Sequence, residues 1–165
     1  MIRLFESVFT KISFYYMSKG LNLLLQFDSD IKNRFAEIDN NVNIKIAILN
    51  ESKSLKFKKT ENNILAYKNK DNCFDYDLII TFKYFKSLPN IVTGKSSVTD
   101  SYINNEFFVQ GNLRYAVVIV YAIEKFMAYL LPKKIYIKRY GRTPYFAIKK
   151  SKMLLKLLFS KRRIV

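Results

Sequence analysis

Apolar residues recur at helical spacing from the start of the chain, with Ile2, Phe5, Val8, Phe9, Ile12 and Tyr16 on one side. The pattern predicts an amphipathic helix ending near Gly20. Leu21 to Phe27 is apolar and short, and periodicity alone does not assign it. Asp28, Ser29 and Asp30 offer a cap to a second helix carrying Ile31, Phe35 and Ile38 on one face, and Asn40 and Asn41 break it. The period then drops to two. Val42, Ile44, Ile46 and Ile48 alternate with polar residues and give the clearest strand in the chain. Ser54–Lys59 and Ile64–Lys68 read as two further strands separated by turn residues, so the three form an antiparallel meander.

A second block follows. Asp77–Phe82 reads as a buried strand, and Lys83–Leu88 leads to a turn at Pro89 and Asn90. After Gly94 and Lys95, the serines at 96 and 97 can cap a short helix carrying Val98, Tyr102 and Ile103. Asn104 and Asn105 can end it, because Asn tolerates the left-handed conformation. Glu106–Gln110 is again strand-like, and Gly111-Asn112 releases the chain into a long apolar helix from Leu113 to Leu131. The strands at Asp77 and Phe107 can join the meander. The fold class expected is α+β, a mostly antiparallel five-stranded sheet covered by helices.

The second block resembles the sterol carrier protein-2-like lipid-binding family. The family shows an Asp-led apolar strand (here Asp77–Phe82), a Gly-Lys after a short helix (Gly94-Lys95), a small turn (Asn104-Asn105), an apolar strand ending in Gly-Asp (Phe107 to Gly111-Asn112) and a closing helix. Asn105 stands where Gly is usual and Asn112 where Asp is usual; both keep the backbone chemistry. The resemblance covers about a third of the chain. It implies that the sheet and the closing helix bound a hydrophobic tunnel for a fatty acyl chain, a sterol or a phospholipid, with Tyr102, Phe107, Phe108, Tyr115, Val118, Ile119 and Ala122 as lining. Read from the residues alone, the long helix with Tyr115, Val118, Ile119, Ala122, Ile123, Phe126 and Met127 equally fits a plain core cover, and the domain is then a scaffold or interaction module with its cavity filled.

Composition narrows the chemistry. The 165 residues suit one core, with 14 Phe, 12 Tyr and no Trp. There is no His, so the commonest general base and metal ligand is missing. The lone Cys73 has no disulfide or thiol-catalysis partner. Gly94-Lys95-Ser96 is similar to the end of a phosphate loop, but Pro89 stands where that loop needs Gly. Asp71, Asp75 and Asp77 with Cys73 fall short of a calcium loop and read as a solvated turn. A non-enzymatic protein without cofactor or metal is expected. No run is long enough to span a bilayer, the first ten residues lack signal-peptide pattern, and the last three are not a peroxisomal address, so the expected location is cytoplasmic.

Charge divides the chain. The net charge is +16, and residues 132–165 supply twelve Lys or Arg with no Asp or Glu. We therefore expect a body over 1–131, lipid-binding as the resemblance implies, and a basic extension over 132–165. Within the extension Ile135–Tyr140 reads as extended, Gly141–Pro144 as a turn, and the end from Lys149 as a helix. There Lys149, Lys152, Lys156, Ser160 and Arg163 make a polar stripe, with Met153, Leu154, Leu157 and Leu158 around the rest. Three readings stay open: a solvated basic surface, an amphipathic helix on an anionic membrane peripheral to the cytoplasm, or a nucleic-acid contact. The mixing of the cations with Leu rather than with stacking aromatics disfavours the last.

Overall fold

The computed structural model describes residues 2–51, 54–61, 63–67, 75–141 and 143–159, with side chains from residue 8 onward. The side chains of Ile2 and Phe5 of the first apolar stripe, and the whole of Asp71 and Cys73 of the acidic turn and of Ser160 and Arg163 of the basic stripe, therefore lie outside what is described. The elements run α1 (Ile2–Phe27), α2 (Ser29–Phe35), β1 (Asn43–Ile48), β2 (Ser54–Lys59), β3 (Ile64–Ala66), β4 (Leu78–Phe82), α3 (Ser87–Val92), α4 (Val98–Ile103), β5 (Phe107–Gly111), α5 (Leu113–Leu130), α6 (Lys133–Tyr140) and α7 (Lys150–Phe159).

The alternation in β1 sends Ile44, Ile46 and Ile48 into the core, opposite Phe57 and Leu55 of β2. The five strands lie in the order β3-β2-β1-β4-β5. This corrects the expected sheet: it is mixed, not mostly antiparallel. β4 runs parallel to β1, with Ile44 opposite Leu78 and Ile48 opposite Phe82, while β2, β3 and β5 pair antiparallel with their neighbours. The reason lies where β4 begins. The Asn43 N–H donates to Asp77 Oδ2 at 2.8 Å and the Asp77 N–H to the Asn43 carbonyl at 3.0 Å, so β4 starts beside the start of β1. Four of its five residues, Leu78, Ile80, Thr81 and Phe82, are buried, and the strand lies inside the sheet with a neighbour on each side.

Helices α1 and α5 lie side by side on one face of the sheet, α1 over β2 and β3, α5 over β4 and β5, and α7 crosses both. α1 does not end at Gly20 but continues to Phe27. Gly20 serves contact instead: a Cβ there would sit 2.2 Å from the Phe126 ring of α5. Asn22, buried in the same helix, donates to the Ile64 carbonyl at 2.7 Å and accepts from the Ile64 N–H at 2.8 Å, which satisfies the outer edge of β3.

Two further expectations change. Pro89 and Asn90 lie inside α3 rather than in a turn; Pro falls in the first helical turn, where its missing N–H costs no helical bond. Ile135–Tyr140 is helical, not extended, within α6, which ends at left-handed Gly141 with φ of 65°. Elsewhere the turn chemistry holds. Ser97 and Asp100 form a reciprocal capping box on α4, Asn105 takes a φ of 55°, and Asn112 caps α5 by accepting from the Arg114 N–H at 3.0 Å. Both Asn departures from the family pattern thus do the backbone work of the residues they replace.

Candidate functional site

β5 is the edge strand of the sheet, and α4 and α5 flank it in sequence and in space. Between the three lies a half-open groove of about 450 Å³, within the range of small-molecule sites. Strand alternation sets one wall. Phe107 and Val109 pair with Phe82 and Ile80, whose side chains point to the helix-covered face, so both reach the groove. α4 contributes Tyr102, whose ring stands 5.5 Å from that of Phe107. The other wall is a row on α5: Leu113, Ala116, Val117 and Val120. These steps of three, one and three keep the row on one flank of the helix. Tyr102, Leu113 and Val117 remain more than half exposed, so the groove has an apolar mouth.

One end is polar. Glu124, the next member of the α5 row, is 8% exposed and accepts from Thr99 twice, from its N–H at 3.2 Å and its hydroxyl at 2.7 Å. Both bonds fall on Oε1 and neither uses Oε2. The buried hydroxyl of Tyr140 has its pKa pushed up, by burial first and then by the negative charge of Glu124.

Tyr121 separates this groove from a second, more polar recess of about 290 Å³ that also meets Asp30, Lys125, Ala128, Tyr136, Thr143 and Tyr145. Its charged groups serve each other and Tyr121. Lys125 donates to Asp28 at 2.9 Å and to Asp30 at 2.8 Å, and the Tyr121 hydroxyl donates to Asp30 at 2.7 Å. Burial pulls the Lys125 pKa down, but hydrogen bonds to Asp30 and Asp28 outweigh it and the net shift is upward. Burial likewise opposes, and the bonds from Lys125, Tyr121 and Arg34 overcome, at Asp30, whose carboxyl falls to about 2. This is a clasp of α2 on α5. Among the described residues no group of three His, Cys, Asp or Glu is placed to hold a metal ion.

Of the residues expected to line a tunnel, Tyr102 and Phe107 line the groove. Phe108 lies opposite Thr81, on the other face of the sheet from Phe107. Tyr115 is buried and donates its hydroxyl to Asp39. Val118, Ile119 and Ala122 are fully enclosed in the core. The widest apolar arc of α5 therefore packs inward, and the second apolar row, Leu113–Val120, forms the wall. Its signal in the sequence was present: apolar side chains persist at 113, 117 and 120, off the arc already wide enough to fill the core.

α7 is also divided. Met153 and Leu157 join the core, Leu154 is half-buried, and Leu155, Leu158 and Phe159 are 57%, 60% and 80% exposed. Lys149 and Lys152 are exposed, and Lys156 lies over the Phe27 ring, 4.9 Å from its centre. No helix among the described residues is long and apolar enough to cross a membrane.

No family model matches the chain, and no curated protein matches it in sequence. Solved structures do match. A UbiJ-SCP2 ubiquinone synthesis protein superposes with a TM-score of 0.54 at 17% identity, over 72% of this chain and 98% of that one. Sterol carrier protein 2 from Yarrowia lipolytica, in its apo form, gives 0.43 at 20% identity over 67% and 86%. Sterol carrier protein 2 like 2 from Aedes aegypti gives 0.37 at 12% identity over 58% and 92%. The fold is sterol carrier protein-2-like: a five-stranded sheet with helices in the α+β class.

Proposed function

We propose that this chain binds an apolar lipid, without turning it over, in the groove between α4, β5 and α5. The observation that carries the reading is the groove itself: about 450 Å³, walled by aliphatic and aromatic side chains, with an apolar mouth at Tyr102, Leu113 and Val117. Each methylene of a ligand drawn from water into such a site contributes roughly 0.8 kcal/mol. The fold likeness favours the same reading, and an acyl, sterol-like or phospholipid tail fits the walls. In this reading residues 1–131 hold the ligand and the basic extension from 132 meets an anionic membrane, the source or destination of the lipid. The exposed Leu155, Leu158 and Phe159 on a helix bearing Lys152 and Lys156, with Lys149 just before it, support that contact.

The test is uptake. Delipidated protein should bind a fluorescent lipid saturably, and Val117→Asp should reduce its affinity by at least about tenfold, since a carboxylate in an apolar wall must be desolvated by the ligand. Val117 is 59% exposed, so the variant should keep the wild-type melting temperature. Folded wild type that shows no saturable uptake would favour an interaction domain instead.

A further inference from the structure

The groove ends on a carboxylate, and no Lys or Arg is among the described residues that line it. The cations next in sequence are turned elsewhere. Arg114 pairs with Glu37 at 3.3 Å, and Lys125 is held by Asp28 and Asp30. The Tyr121 hydroxyl is committed to Asp30. Thr99 spends both its donors on Glu124 Oε1. A ligand whose tail lies along Val109, Val117 and Val120 thus brings its head to the Glu124 carboxylate with no cation among the described lining residues; the unpartnered hydroxyl near Glu124, that of Tyr140, is buried and is not among that lining. A carboxylate or phosphate head placed there would face a like charge with no cation in the described lining to offset it.

We propose that Glu124 selects the ligand by its head group: the groove takes an uncharged lipid whose head donates a hydrogen bond, a hydroxyl, and excludes free fatty acids and other anionic lipids. This rests on the lipid-binding reading above and names the substrate class of that site. Glu124 is its specificity-determining residue, and Thr99 is the positioning residue that holds Oε1 and makes no bond to Oε2.

The experiment displaces Nile red, an uncharged dye, from delipidated protein with three competitors of one chain length: a primary alcohol, the fatty acid methyl ester and the free fatty acid. At neutral pH the alcohol should displace dye at a concentration at least about tenfold lower than the acid, with the ester between them. Glu124→Gln retains an acceptor for Thr99 and removes the charge, and should bring alcohol and acid to within about threefold of each other. An acid that competes as well as the alcohol against wild type overturns the head-group assignment while leaving lipid binding intact. Discrimination that persists unchanged in Glu124→Gln also overturns it. If the dye binds but none of the three competes, the assignment fails with the choice of ligand. If not even the dye binds, the lipid-binding reading itself fails. Should Glu124→Gln not fold, Thr99→Val supplies the second variant: loss of the hydroxyl bond to Oε1, with the backbone N–H bond retained, should narrow the same ratio, and an unaltered ratio counts against the proposal.

Discussion

A single methyl group added at Gly20 would meet the ring of Phe126 at 2.2 Å, closer than any real contact. The two longest helices of the molecule touch there, so the backbone of α1 approaches α5 where a side chain would hold them apart. Gly in a helix interior costs about 1 kcal/mol relative to Ala, and overpacking costs about 1–3 kcal/mol. Gly20→Ala should therefore lower stability by up to about 2 kcal/mol despite the better helix former, read from the midpoint of urea unfolding. Phe126→Leu should be destabilising alone yet less so in the Gly20→Ala background. Additive effects of the two would place the contact elsewhere. The same residue shows why parts of the chain misread from sequence. A Gly between apolar stretches signals a helix end on average, and only the partner helix reveals that it marks a crossing. Glu124 was hidden for a related reason: one charged residue among apolar neighbours looks solvated until Thr99 is brought against it.

At the scale of elements, what was legible depended on whether an element buries a stripe. β1, with strict alternation, was plain, and so was α4, announced by its cap. α6 was not: only Tyr136 is buried along its length, so no apolar face exists to give it period, and it is held by Pro132 before it and left-handed Gly141 after. Nor does the sequence encode the direction of β4, because a period of two is the same for parallel and antiparallel neighbours. The clasp between α2 and α5 makes a prediction about acid. Asp30 has a folded pKa of about 2 against an ordinary 3.8, with burial opposing and the bonds from Lys125, Tyr121 and Arg34 prevailing. A carboxyl whose folded pKa is depressed stabilises the fold fully above its unfolded value and loses that contribution as pH falls through the folded one. Stability should thus decline between about pH 3.8 and about 2, and Asp30→Asn should be less stable at neutral pH and flatter over that window. Thermal melts at several pH values read both, and parallel acid limbs in the two proteins would remove Asp30 as their source. Because the Asp30 side chain is 44% exposed, the change should be modest.

Over the whole molecule, the asymmetry of charge meets the layering of the fold at α7. The twelve cations of residues 132–165 have no acid in their own segment, and the described part of the last helix lies across α1 and α5. Its two sets of apolar residues then have different work. Met153 and Leu157 are within 5% of full burial and fill the core, whereas Leu158 and Phe159 are exposed at the end of the helix, where Lys19 of α1 reaches the Leu158 carbonyl at 3.4 Å. In the membrane reading, charge draws this surface to anionic lipid and the exposed apolar pair holds it there. The two sets should separate experimentally. Replacing Met153 and Leu157 by Ser should lower the melting temperature sharply, since two buried apolar side chains contribute on the order of 2–5 kcal/mol each. Replacing Leu158 and Phe159 by Ser should leave the melting temperature unchanged and weaken binding to phosphatidylserine vesicles at low salt, while binding to DNA or RNA, which uses charge alone, should not change. Lys149→Gln with Lys152→Gln should weaken attachment to either and make what remains less sensitive to added salt. Vesicle binding that survives loss of Leu158 and Phe159 intact would leave electrostatics as its sole source. Nucleic acid bound by a wild type that ignores the vesicles would sink the membrane reading and give the extension a different anionic partner.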